Sequence, residues 1–107
     1  MRTITREQLN ERLANDNLTL VEVLDPEYYG KYHLPGAINV PLDGDFDQQI
    51  RKAVPDKNRT VVVYCMDAGC QASPKAGRRM DELGYRHVFD YEAGKRDWRE
   101  AGLPVET

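Results

Sequence analysis

Hydrophobic positions in this chain recur at two different spacings, and the two alternate. Leu9 and Leu13 share one face of a short helix, and Thr5 three residues before Gln8 forms the signature of a capping box at its start, with Ile4 and Leu9 placed as a hydrophobic staple. Residues 18–24 are rich in Leu and Val and read as a strand, broken by Pro26. Residues 25–32 read as a short helix or turn. Residues 37–40 read as a short strand ended by Pro41, and residues 46–54 as a helix with Phe46 and Ile50 on one side. Thr60, Val61, Val62, Val63 and Tyr64 form the clearest element: β-branched and continuously apolar, as in a central strand buried on both faces. A loop over 66–72 follows. Ser73, as N-cap, and Pro74, at the first helical position, open a helix whose apolar stripe is Ala76, Met80 and Leu83 and whose C-terminal cap is Gly84. Val88 and Phe89 suggest another strand, and residues 95–101 a last helix stopped by Gly102 and Pro104. Strands separated by helices predict an α/β fold, a central parallel sheet flanked by helices on both faces.

Length and composition narrow the class. A chain of 107 residues suits a single domain spanning 1–107, with one hydrophobic core. The net charge of −3 argues against nucleic acid or an anionic membrane as partner. No apolar run approaches the roughly 20 residues that span a bilayer, and the N-terminus lacks the apolar core of a signal peptide. A cytoplasmic location is the expectation. Cys65 and Cys70 are the two cysteines, too few for a disulfide-rich scaffold. With His33 and His87 they lack the clustered spacing of a zinc site, so neither a metal nor a cofactor is expected.

Candidate chemistry gathers at Cys65. In parallel α/β sheets ligands bind beyond the carboxyl ends of the strands, and Cys65 directly follows the most buried strand. A tight loop there, made of Met66, Asp67, Ala68, Gly69, Cys70, Gln71, Ala72 and Ser73, can turn its amides inward to bind an anion. A helix N-terminus adds unpaired N–H groups and the positive end of a dipole. Both favour a thiolate, and helix N-termini are among the settings that lower a cysteine pKa from about 8.5. Gly69 allows a tight turn, and the small Ala68 and Ala72 leave room for a substrate. The alternative is that Cys65 is a small buried apolar residue at a strand end.

Four segments in order carry a family resemblance. They are the run from Tyr32 and His33 through Pro35, Gly36, Ala37, Ile38, Asn39, Val40 and Pro41 to Leu42; the strand from Val61 to Tyr64 leading into Cys65; Leu83, Gly84 and Tyr85; and the closing set Gly94, Trp98, Gly102, Leu103, Pro104 and Val105. In these the chain resembles the single-domain rhodaneses, a sulfurtransferase family, over nearly its whole length. The resemblance implies a small α/β domain and a two-step reaction at Cys65. Its thiolate takes sulfane sulfur from a small donor, thiosulfate or a persulfide, forms a Cys65 persulfide held by loop amides, and passes the sulfur to a thiol acceptor.

The chain departs from that pattern in three places. Cys70 stands where many active rhodaneses carry an Arg, the loop is about two residues longer, and Glu22, Val23 and Leu24 replace the usual Asp-Val-Arg. Cys70 has two readings, a resolving thiol that closes a disulfide with Cys65 or a small residue in the loop wall. Lys75, Arg78 and Arg79 are the next bases, expected on the solvated helix face. Asp67 either accepts loop N–H bonds or repels an anionic donor. His33 is expected to order the Pro-Gly turn, and Trp98 to anchor the last helix. Tyr28, Tyr29 and Tyr32 are expected to pack the short helix on the sheet, and Asp43, Asp45 and Asp47 to lie in a solvated loop. A non-catalytic module that binds a protein partner or senses oxidants is the alternative function. A phosphatase or arsenate reductase ranks last, since residues 66–72 contain no Arg to hold an oxyanion.

Overall fold

A computed structural model describes residues 1–15 and 17–107. The chain runs β1 (Arg2–Thr3), α1 (Arg6–Asn15), β2 (Thr19–Glu22), α2 (Pro26–Lys31), β3 (Ile38–Asn39), α3 (Phe46–Ala53), β4 (Thr60–Tyr64), α4 (Ala72–Glu82), β5 (His87–Tyr91) and α5 (Gly94–Glu100). The strands form one sheet in the order β1-β5-β4-β2-β3, and every pair is parallel. β4 is central, as its composition predicts, with Val61, Val62 and Val63 fully buried. Burying each such side chain contributes about 1.5–3 kcal/mol.

Side chains of a strand alternate between faces, and this splits the core in two. Val61, Val63 and Cys65 pack with Phe46 and Ile50 of α3 and with Ala76 and Met80 of α4. Val62 and Tyr64 pack on the other face with Leu9 of α1 and Trp98 of α5. Tyr64 and Cys65 are thus neighbours in sequence on opposite sides of the sheet.

Local rules set several boundaries. The capping box forms as expected: Gln8 N–H donates to Thr5 Oγ1 at 3.1 Å, and Thr5 N–H donates to Gln8 Oε1 at 3.0 Å. Ile4 and Leu9 are both buried in the same cluster. Pro26 ends the extended run by opening α2 at its first turn. Gly84 closes α4 at φ +95°, a conformation natural to glycine. The start of α4 corrects an expectation. The helix begins at Ala72, so Ser73 lies inside its first turn with its side chain buried rather than capping the end. β1 is an element the pattern misses: Arg2 and Thr3 are exposed and join the sheet through backbone pairing with Phe89 and Asp90. Among the described residues no helix is long and apolar enough to cross a membrane.

Candidate active site

Cys65 follows β4 at the carboxyl edge of the sheet and is fully buried. Its sulfur is bonded to that of Cys70 across a Cα–Cα distance of 6.4 Å, inside the range a disulfide requires. The loop between them is shaped by Asp67, whose carbonyl accepts the Cys70 N–H at 3.1 Å and whose Oδ1 accepts the Gly69 N–H at 3.1 Å. Asp67 therefore takes the first of its two expected roles and occupies two of the amides counted toward an anion nest. Its carboxylate also pairs with Arg96 at 3.3 Å.

The loop is seated on the start of α5. Lys95 N–H donates to Cys65 O and Arg96 N–H to Met66 O, each at 3.0 Å. Gly94 is required for this approach. It sits at φ +79°, and a Cβ there would lie 2.5 Å from the backbone of Met66 and Asp67.

On the α3/α4 face polar groups lie beside the sulfur. Cys65 Sγ lies 3.4 Å from Ser73 Oγ, and Ser73 and Asp90 on β5 line the same small pocket. Asp90 is buried, and its Oδ1 has no partner. Burial pushes its carboxyl above the ordinary range, with Ser73 pulling the other way. The pocket, of about 160 Å³, is lined by Ala68, Cys70, Gln71, Ser73, Asp90 and Glu92 among others. Ser73 sits in the first turn of α4, so the positive end of that helix lies near the sulfur.

On the other face, directly behind Cys65, lies a network that the sequence pattern does not announce. Lys95 Nζ donates to Glu22 Oε2 at 3.1 Å and to the carbonyls of Tyr28 and Tyr32 at 2.7 Å each, using all three of its donors. Tyr64 OH donates to Glu22 Oε1 at 2.9 Å and accepts from Leu34 N–H at 3.1 Å. Glu22 and Lys95 are both fully buried. Burial raises the Glu22 carboxyl and lowers the Lys95 ammonium, in each case against the pull of the partner. This buried ion pair ties the end of β2 to α5.

The remaining candidates divide between structure and surface. His33 stacks on Tyr29 with ring centroids 3.9 Å apart, and its backbone bridges to Glu106. Tyr29 OH donates to Ala37 O, and Trp98 Nε1 donates to Pro104 O while its ring is buried in the core. The three tyrosines do not act alike. Tyr29 packs on the core, Tyr32 lies between the cations of Lys95 and Arg99, and Tyr28 is exposed. Arg79 is turned toward Asp47 and Glu82 in a groove between α3 and α4, away from Cys65. Met66 Sδ lies 3.9 Å from Tyr32 OH, and Ala72 packs against the core.

The Rhodanese-like domain family model matches residues 5–101. The chain belongs to the rhodanese-like family. Its relatives differ in kind. The thiosulfate sulfurtransferase PspE of Escherichia coli is 48% identical over 68 residues, which cover 64% of this chain and 62% of that protein. An HTH-type transcriptional regulator of Mycobacterium tuberculosis is 40% identical over 103 residues, covering 96% of this chain and 44% of the regulator. The chain spans about half the length of the curated relatives it matches. Among solved rhodanese structures, one from Escherichia coli determined with anions aligns at TM-score 0.70 and 36% identity, covering 85% of this chain and 99% of that one. The rhodanese-like domain of an Anabaena protein aligns at TM-score 0.87 and 23% identity, covering 99% and 79%, and shows the shared fold.

Proposed function

We propose that the chain is a sulfurtransferase that moves sulfane sulfur from a thiosulfate- or persulfide-type donor to a thiol acceptor through a Cys65 persulfide. The observation that carries this reading is the position of Cys65 after β4 in a rhodanese-like fold, under a loop that starts at its own carbonyl. Family relatives named as thiosulfate sulfurtransferases support it.

The steps follow from the site. Two equivalents of a thiol such as the acceptor, or one dithiol, reduce the Cys65–Cys70 bond and are themselves oxidised to a disulfide, which frees the nucleophile. The Cys65 thiolate attacks the outer sulfur of the donor. With thiosulfate the S–S bond breaks and sulfite leaves with the electron pair; with a persulfide a thiolate leaves. The terminal sulfur of the Cys65 persulfide is then attacked by an acceptor thiolate, which regenerates Cys65 and carries the sulfur away. The positive end of α4 and the Ser73 hydroxyl lie where negative charge develops on sulfur.

The test is intact mass of the reduced protein after exposure to thiosulfate or glutathione persulfide. The chain should gain one sulfur atom, and Cys65→Ala should gain none. Equal loading of Cys65→Ala would overturn the proposal.

A further inference from the structure

The mechanism above leaves Cys70 unused after reduction, yet the structure joins its sulfur to that of Cys65. We propose that Cys70 makes this a sulfide-releasing centre, in which a persulfide loaded on Cys65 is resolved internally and hydrosulfide is expelled. This inference rests on the sulfurtransferase reading and names a second fate for the same sulfur.

Three observations carry it. First, the Cα atoms of the two cysteines stand 6.4 Å apart, inside the range a disulfide spans, with the loop amides at Gly69 and Cys70 satisfied by Asp67. The loop backbone thus holds Cys70 where it can reach the Cys65 sulfur. Second, Cys65 is fully buried while Cys70 is partly exposed beside the small pocket, so a resolving thiol reaches the inner sulfur from the loop side. Third, a small pocket opens beside Cys70, lined by Ala68, Cys70, Gln71, Ser73, Asp90 and Glu92 among others, and gives expelled hydrosulfide a way out next to the resolving thiol.

The step balances. The Cys70 thiolate attacks Sγ of Cys65–S–SH. A bond forms between the two protein sulfurs, the bond to the terminal sulfur breaks, and HS⁻ leaves with the electron pair. The sulfane sulfur is reduced to sulfide and the two cysteines are oxidised to the disulfide. Two equivalents of a thiol, or one dithiol, then reduce the disulfide and return the site to its starting state.

The experiment uses reduced protein freed of excess thiol and mixed with one equivalent of glutathione persulfide. Intact mass and a sulfide-selective probe are read together for the wild type, Cys70→Ser, Cys70→Ala and Cys65→Ser. The wild type should free one sulfide per chain and end two hydrogens lighter than its reduced form. Both Cys70 variants should stop at one added sulfur atom and free no sulfide, and Cys65→Ser should do neither. If the wild type keeps the added sulfur and frees none, the internal resolution is overturned while the sulfurtransferase reading stands. If no Cys70 variant takes up sulfur, although both retain the far-ultraviolet dichroism of the wild type, both readings fall.

Discussion

Tyr64 and Cys65 are adjacent, yet the polar groups each one meets are built on opposite terms. Behind the sheet, Tyr64, Glu22 and Lys95 form a closed network in which every ammonium proton has an acceptor. In front, Cys65 lies against Ser73, and the neighbouring Asp90 has an oxygen with no partner. A buried polar network that is fully paired fixes geometry, whereas one left incomplete costs free energy and is a mark of a working site. The rear network holds the strand ends and loop in place, and the front groups are those the proposed reaction would use.

The largest expected effect breaks the rear side. Lys95→Met removes the cation and leaves Glu22 buried without it, which should cost about 3–5 kcal/mol in urea unfolding. Adding Glu22→Gln should recover much of that loss, because the uncompensated charge goes with it. If the single variant unfolds at the wild-type midpoint, the rear network is not what holds this edge. A smaller effect is expected at the hinge between the two sides. Gly94→Ala forces a side chain into the left-handed region, a cost of about 1–3 kcal/mol, and sets its Cβ 2.5 Å from the loop backbone. Unfolding free energy should drop, and sulfur loading at Cys65 should slow with it.

The smallest effect sharpens the front side. Burial holds the Asp90 carboxyl above its ordinary value of 3.8, so the folded chain keeps this proton over a range where the unfolded chain has released it. Stability from this group is thus highest below the ordinary value. It falls as pH rises through the interval up to the raised one, and the penalty persists above. Asp90→Asn carries no such slope. Its urea unfolding free energy should rise relative to the wild type across that interval, by on the order of 1 kcal/mol at neutral pH, near the low end for a buried unpaired polar atom. The shifts of Glu22 and Lys95 are common to both proteins and drop out of the difference. A gap that does not change with pH would remove Asp90 from the front groups.

Much of this arrangement is legible in the sequence. Thr5 and Gln8 announce α1 because capping is local, and the Thr60–Tyr64 run announces the central strand because burial on both faces demands continuous apolar residues. The position of Cys65 at a strand end followed from that. The elements that escaped depend on distant partners. β1 is two exposed residues, whose pairing with β5 uses backbone groups that every sequence possesses. Lys95 reads as an ordinary helix residue until Glu22, 73 positions away, is brought against it. Asp90 reads as a polar residue in an otherwise apolar strand, and only its alternation with Val88 on the Cys65 face hints at where it points. Ser73 looked like a cap because Ser-Pro is a common helix opening, but a turn begun one residue earlier carries its hydroxyl inward.

The seating of the cysteine loop on α5 also gives the molecule its own clock. The amide protons of Lys95 and Arg96 are spent on the carbonyls of Cys65 and Met66, so they become free to swap with solvent deuterium only when loop and helix part. Their exchange rates therefore time the breathing of the sulfur site, from two residues that carry no sulfur themselves.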